Sequence, residues 1–74
     1  MQKYYYDYVH FYDSLNLDDV LIIDEATFKQ AEKGNNYFNV NNFWEFGEFE
    51  NIEKAKDYII GELSFDLYCK LHDC

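Results

Sequence analysis

The stretch KYYYDYVHFY, residues 3–12, alternates. Tyr4, Tyr6, Tyr8, His10 and Tyr12 fall on one side of a period-two pattern, and Tyr5, Asp7, Val9 and Phe11 on the other. That period, with so many aromatic and β-branched side chains, predicts a strand over the whole stretch. Tyrosine suits a half-wet sheet because its ring is buried while its hydroxyl stays near water. Residues 13–19, DSLNLDD, carry turn formers, and Val20 to Ile23 is a short, β-branched apolar run that reads as a buried strand. Asp24 then stands where an N-cap belongs, Glu25 falls in the first turn, and Gly34 supplies a left-handed stop. A short helix over Glu25 to Lys33 follows, with Phe28 and Ala31 turned inward.

Asn35 and Asn36 open the segment YFNVNNFWEF, which predicts a hairpin around Asn41 and Asn42 because asparagine tolerates positive φ. A two-residue loop leaves both faces mixed. A three- or five-residue loop gathers Phe38, Trp44 and Phe46 on one side and turns Asn39 and Glu45 outward, which is the cleaner solution since a one-residue slip reverses every side chain. Gly47 to Asn51 reads as a turn. The longest helical pattern starts after Asn51, its N-cap: Glu53 sits in the first turn, and Ile52, Ala55, Ile59 and Leu63 recur at spacings of three and four. Past a bend expected at Gly61 and Ser64, Leu67, Tyr68 and Leu71 continue the apolar face. The elements add up to one α+β domain over residues 1–74: a small, mainly antiparallel sheet, one short helix, and a long C-terminal helix packed on one face.

Composition changes this picture in one respect, charge. Fifteen Asp and Glu oppose six Lys and no Arg, for a net charge of −9, while seven Phe, eight Tyr and one Trp supply apolar surface. Disordered acidic segments lack such aromatics, so the charge is expected on a folded body. A field of this sign hastens encounter with basic surfaces, and the expected partner is a basic protein, above all a nuclease or another nucleic-acid-binding protein. The lysines are scattered among acids, so direct contact with nucleic acid or an anionic membrane is not expected. No apolar run approaches the roughly 18 residues of a membrane span, and Met1 to Tyr12 lacks the basic start and apolar middle of a signal peptide, which predicts a cytoplasmic protein.

Catalytic chemistry finds no foothold. Ser14, Ser64 and Thr27 stand in no nucleophile-elbow pattern, and the glycines at 34, 47 and 61 are too far apart to cradle a phosphate. His10 is expected as a packed or hydrogen-bonded sheet residue, and His72 near a helix C-terminus. Cys69 and Cys74, five apart, diverge on a helix beyond disulfide reach. With His72 they offer three zinc ligands where a structural site needs four. No catalytic residue, metal or cofactor is therefore expected.

The candidate residues are those of a binding surface. Glu45, Glu48, Glu50, Glu53 and Asp57 place five carboxylates in thirteen residues, a row that Glu62 and Asp66 extend; Asp18, Asp19, Asp24 and Glu25 form a second cluster. Like charges at helical spacing cost a few tenths of a kcal/mol per pair, and a cost that is kept hints at a use. Exposed ion pairs contribute only about 0 to 1 kcal/mol each, so aromatic anchors are expected to hold the complex: Trp44, Tyr37, and the tyrosines at 4, 5, 6 and 8.

In overall composition, over its whole length, the chain resembles the small acidic proteins with which bacteriophages disable host defence, anti-restriction and anti-CRISPR inhibitors among them. The resemblance rests on no shared motif and carries no residue over. It implies a non-catalytic inhibitor occupying the basic groove of a nuclease or nucleic-acid-binding protein, its carboxylates imitating phosphates. Two other readings fit the same composition. One is an immunity or antitoxin-like protein that neutralises a basic toxin; the other is a small structural or assembly subunit whose Tyr-rich first strand is an oligomer edge.

Overall fold

A computed structural model describes residues 1–34 and 39–72 of the chain. It is an α+β structure built on a three-stranded antiparallel sheet. The main elements in chain order are β1 (Gln2–Asp7), α1 (Tyr8–Ser14), β2 (Ile22–Asp24), α2 (Glu25–Glu32), β3 (Phe43–Phe49) and α3 (Ile52–His72), with single 3-10 turns at Leu17–Asp19 and Val40–Asn42. β1 lies in the centre, flanked by β2 and β3.

The expected strand over residues 3–12 is half strand and half helix. β1 stops at Asp7, whose carboxylate accepts a hydrogen bond from the His10 backbone N–H at 2.9 Å and caps α1. Residues 8–12 alternate, but Tyr8, Phe11 and Tyr12 also recur at spacings of three and four, and a cap at Asp7 selects the helical reading. Phe11 thereby enters the core, fully buried. Leu15 closes the helix at φ 53°, its N–H donating to the Phe11 carbonyl. His10 consequently lies on a helix, not in the sheet.

Strand alternation covers both faces of β1. Tyr6 packs with Phe11, Ile59 and Leu63 beneath α3, while Tyr5 packs with Ile23 and Phe43 on the opposite face, its ring stacked 4.0 Å from that of Phe28 on α2. The second strand is Ile22–Asp24, shorter and later than Val20–Ile23, and it ends in the cap of α2. That cap holds as expected: the Asp24 carboxylate accepts from Thr27 N–H at 2.8 Å, Ala31 is buried, Phe28 packs inward, and Gly34 takes φ +80°.

β3 pairs with β1 across the whole span Phe43–Phe49, so the turn expected from Gly47 narrows to Glu50 and Asn51. The register slips between Tyr4 and Tyr5: Tyr5 opposes Glu45, Tyr4 opposes Gly47, and Phe46 is the extra residue of a bulge. Gly47 sits there at φ +134°, where a Cβ would lie 3.2 Å from the Phe49 ring. Trp44, opposite Tyr6, and Phe46, whose ring meets Tyr6 edge-on, lie on the α3 side, and Glu45 lies on the other. Asn41 and Asn42 belong to a 3-10 turn; Tyr37 and Phe38, the other arm of the expected hairpin, lie outside the described residues. Asn51 caps α3, accepting from Lys54 N–H at 2.9 Å, and Ala55, Ile59 and Leu63 form its buried stripe. Burial of Leu63 contributes about 1.5–3 kcal/mol. Ile52, Tyr68 and Leu71, expected inward, are exposed. The described part of α3 contains no helix long and apolar enough to cross a membrane, nor does any other described helix.

Candidate partner-binding surface

The acidic run from Glu45 to Asp57 is continuous in sequence and divided in space. Glu45 and Glu48 stand opposite Tyr5 and Lys3 in the ladder, and directly opposed residues share a face, so both rise from the α2 side of the sheet. The chain then turns at Glu50 and Asn51 into α3, which covers the other side. Glu53 and Asp57 lie there, exposed, four residues and about 6 Å apart along the helix. Glu53 occupies the first turn, where a negative charge favours the helix dipole. Two carboxylates of the run already have cations: Glu45 Oε1 lies 3.9 Å from Lys3 Nζ, and Glu50 Oε2 lies 3.2 Å from Lys54 Nζ. Among the described residues, no ion pair involves Glu48, Glu53 or Asp57. Glu62 and Asp66 do not extend the row, because each follows Glu53 or Asp57 by nine residues, two and a half turns, and points to the opposite flank of the helix.

The second acidic cluster also separates into parts with different work. Asp24 is the cap of α2, and the bonds from Thr27, its backbone N–H first and its hydroxyl second, hold the Asp24 carboxyl below the ordinary carboxylate value. Glu25 lies 3.6 Å from Lys29, one turn along the same helix. Asp18 and Asp19 sit on the 3-10 turn capped by Asn16, whose Oδ1 accepts from Asp18 N–H at 3.0 Å. Together with Asp7, His10, Val20 and Leu21 they line a shallow cavity of about 220 Å³. His10 Nε2 and Asp19 Oδ2 stand 2.8 Å apart across it. The residues lining this cavity supply no hydroxyl or thiol of their own. Among the described residues, no group of three His, Cys, Asp or Glu is placed to hold a metal ion.

Of the tyrosines expected as anchors, Tyr4, Tyr5 and Tyr6 are core residues. Burial pushes the Tyr6 hydroxyl pKa up to about 12 and raises that of Tyr5. Trp44 is the exposed anchor: its ring is 54% accessible and stacks 4.0 Å from Tyr8, whose hydroxyl reaches the Asn41 carbonyl at 3.4 Å. Tyr37 lies outside the described residues. Sequence reasoning passed over Tyr58 and Phe65, which α3 leaves exposed beside Tyr68. Their signal was present in the spacing 58, 61, 65, 68, a second stripe at helical period on a helix whose first stripe was already assigned to the core.

Fold and surface thus define a small α+β body that carries its charge outside and its aromatics both inside and in two exposed places. Comparison with known proteins finds no matching family model, no matching curated protein and no matching solved structure.

Proposed function

We propose that this protein is a non-catalytic acidic inhibitor that occupies the basic groove of a nuclease or other nucleic-acid-binding protein, acting as a nucleic-acid mimic in phage counter-defence. The observation that carries the reading is the placement of charge: among the described residues no charged side chain is buried, although the body they decorate has an aromatic interior. Carboxylates mounted on strands and a capped helix, as Glu48, Glu53 and Asp57 are, lose less freedom on binding than carboxylates on a mobile tail. Charge of one sign sets encounter rate and orientation, and Trp44 on its Tyr8 support adds rigid contact area.

Competition tests it. The tagged chain, immobilised, captures its partner from host lysate, and duplex DNA or RNA is then added in excess. Mimicry predicts that nucleic acid displaces the partner and that the double variant Glu53→Gln, Asp57→Asn captures several-fold less. A partner that stays bound in the presence of its own nucleic acid rules mimicry out.

A further inference from the structure

The outer side of α3 carries Tyr58, Gly61, Phe65, Tyr68 and His72 at successive spacings of three, four, three and four. That 3.5-residue mean is the repeat by which one helix meets another along a seam. Scattered exposed apolar residues are ordinary; aligned ones are not. Tyr58 is 48% exposed, Phe65 67% and Tyr68 57%, and Leu71 beside them is 69% exposed. The buried stripe of Ala55, Ile59 and Leu63 runs down a different side; Tyr58, at the seam's N-terminal end, leans on β3 with its ring 5.3 Å from that of Phe49, while Phe65 and Tyr68 stand further out in solvent. Gly61 lies within the seam. A Cβ there would meet nothing within 4 Å, so no packing inside the molecule requires glycine at that point. A glycine in a helix interior weakens the helix, and one that faces outward on an apolar seam lets a second backbone approach closely.

Charge chooses the occupant. Of the positions flanking the seam, Asp57 and Glu62 are acidic, Ser64, Cys69 and Leu71 carry no charge, and none is basic. A second copy packed in parallel would set Asp57 against Glu62, and any pairing of copies brings together two bodies of charge −9. A helix whose apolar residues are bordered by Lys or Arg meets both the seam and its borders. We propose that this face of α3 is a docking seam for a basic-flanked amphipathic helix of the partner. The proposal deepens the inhibitor reading and rests on it for the partner's basic character. It differs in locating the hold on α3 and not on a phosphate-like row alone.

The probe is a labelled 21-residue synthetic helix with Leu at seam positions and Lys beside them, compared with an isomer of identical composition in scrambled order. Both carry the same charge, so only the first tests the seam. The seam peptide is expected to bind roughly tenfold tighter than the scrambled one, and to shift NMR signals of Tyr58, Phe65, Tyr68 and His72. Phe65→Ser is expected to abolish the difference while leaving the scrambled peptide's weak, salt-sensitive binding unchanged. Because Phe65 is exposed, this variant keeps the fold, which circular dichroism checks. Equal binding of the two peptides overturns the seam while leaving the acidic-surface reading intact; failure of both peptides to bind also overturns the seam, while the inhibitor reading stands or falls on the competition experiment. Sedimentation equilibrium supplies the last outcome, for a dimer of the chain alone that Phe65→Ser dissociates means a second copy occupies the seam, and the proposal is wrong.

Discussion

At the residue scale, two ionisable side chains tie the fold to pH in opposite directions. Asp24 has its carboxyl lowered below 3.8 by the Thr27 bonds. Its contribution to stability is therefore present above the unfolded-state value and is lost as pH falls through the folded one. Asp24→Ala is expected to cost about 1 kcal/mol at neutral pH through loss of the cap. Asp24→Asn, which still caps, is expected to keep most of that and to show a flatter acid limb in urea titrations carried downward from the ordinary carboxylate value of 3.8. Tyr6 works at the other end. Its burial raises the hydroxyl from 10.0 to about 12, so stability is full below pH 10.0 and drains away as pH climbs through 12. Tyr6→Phe removes that ionisation. The variant is expected to hold its far-UV circular dichroism to higher pH than the parent, with Tyr5, also raised, setting the remaining alkaline limb. If parent and variant unfold at the same alkaline pH, the phenol of Tyr6 is not as enclosed as its 7% exposure indicates.

At the element scale, two glycines give opposite expectations. Gly47 occupies the β3 bulge at φ +134° with the Phe49 ring 3.2 Å from any added Cβ, so Gly47→Ala is expected to destabilise by roughly 1 kcal/mol or more. Gly61 has helical backbone and open space, so Gly61→Ala is expected to stabilise by about 0.5–1 kcal/mol. Chemical denaturation of the two variants reads both signs at once. The same pair shows what was legible in the sequence. α2 and α3 announce themselves locally, through Asp24, Gly34, Asn51 and the stripe at 55, 59 and 63, because caps and helical periods involve residues at most four apart. The α+β class follows from them. β3 was half legible: its side-chain alternation was right, but the bulge at Phe46 and Gly47 depends on a partner forty residues away in β1, which no local pattern reports. α1 was hidden because the same five residues satisfy both periods, and a single carboxylate at Asp7 decides between them. The acidic surface has the same history. Composition announces it, yet the sheet puts Glu45 and Glu48 on one side and Glu53 and Asp57 on the other, a partition set by tertiary pairing.

At the scale of the whole molecule, the balance between attraction and repulsion among charges fixes how the protein answers to salt. Three lysine–carboxylate ion pairs hold among the described residues, at 3.2 to 3.9 Å, all between exposed or half-exposed groups. Each contributes at most about 1 kcal/mol. Against them stands a net charge of −9 on a body 40 Å long and 25 by 17 Å across. At about 0.01 M salt the screening length is roughly 30 Å, so carboxylates at opposite ends still repel; at about 0.15 M it is roughly 8 Å, and only neighbours do. Added salt therefore removes the long-range repulsion first and weakens the contact pairs less. For a chain of this size, relief of about 1 kcal/mol raises Tm by about 4–8 °C. The expected outcome is a Tm that climbs by several degrees over that range of sodium chloride and then levels off, followed by thermal circular dichroism. Sodium sulfate is the wrong choice, since it strengthens apolar burial as well as screening. A partner with a cationic surface would supply the same relief locally and all at once. The chain should accordingly be more thermostable in complex than alone, with the gain largest in low salt, where its own charges oppose it most.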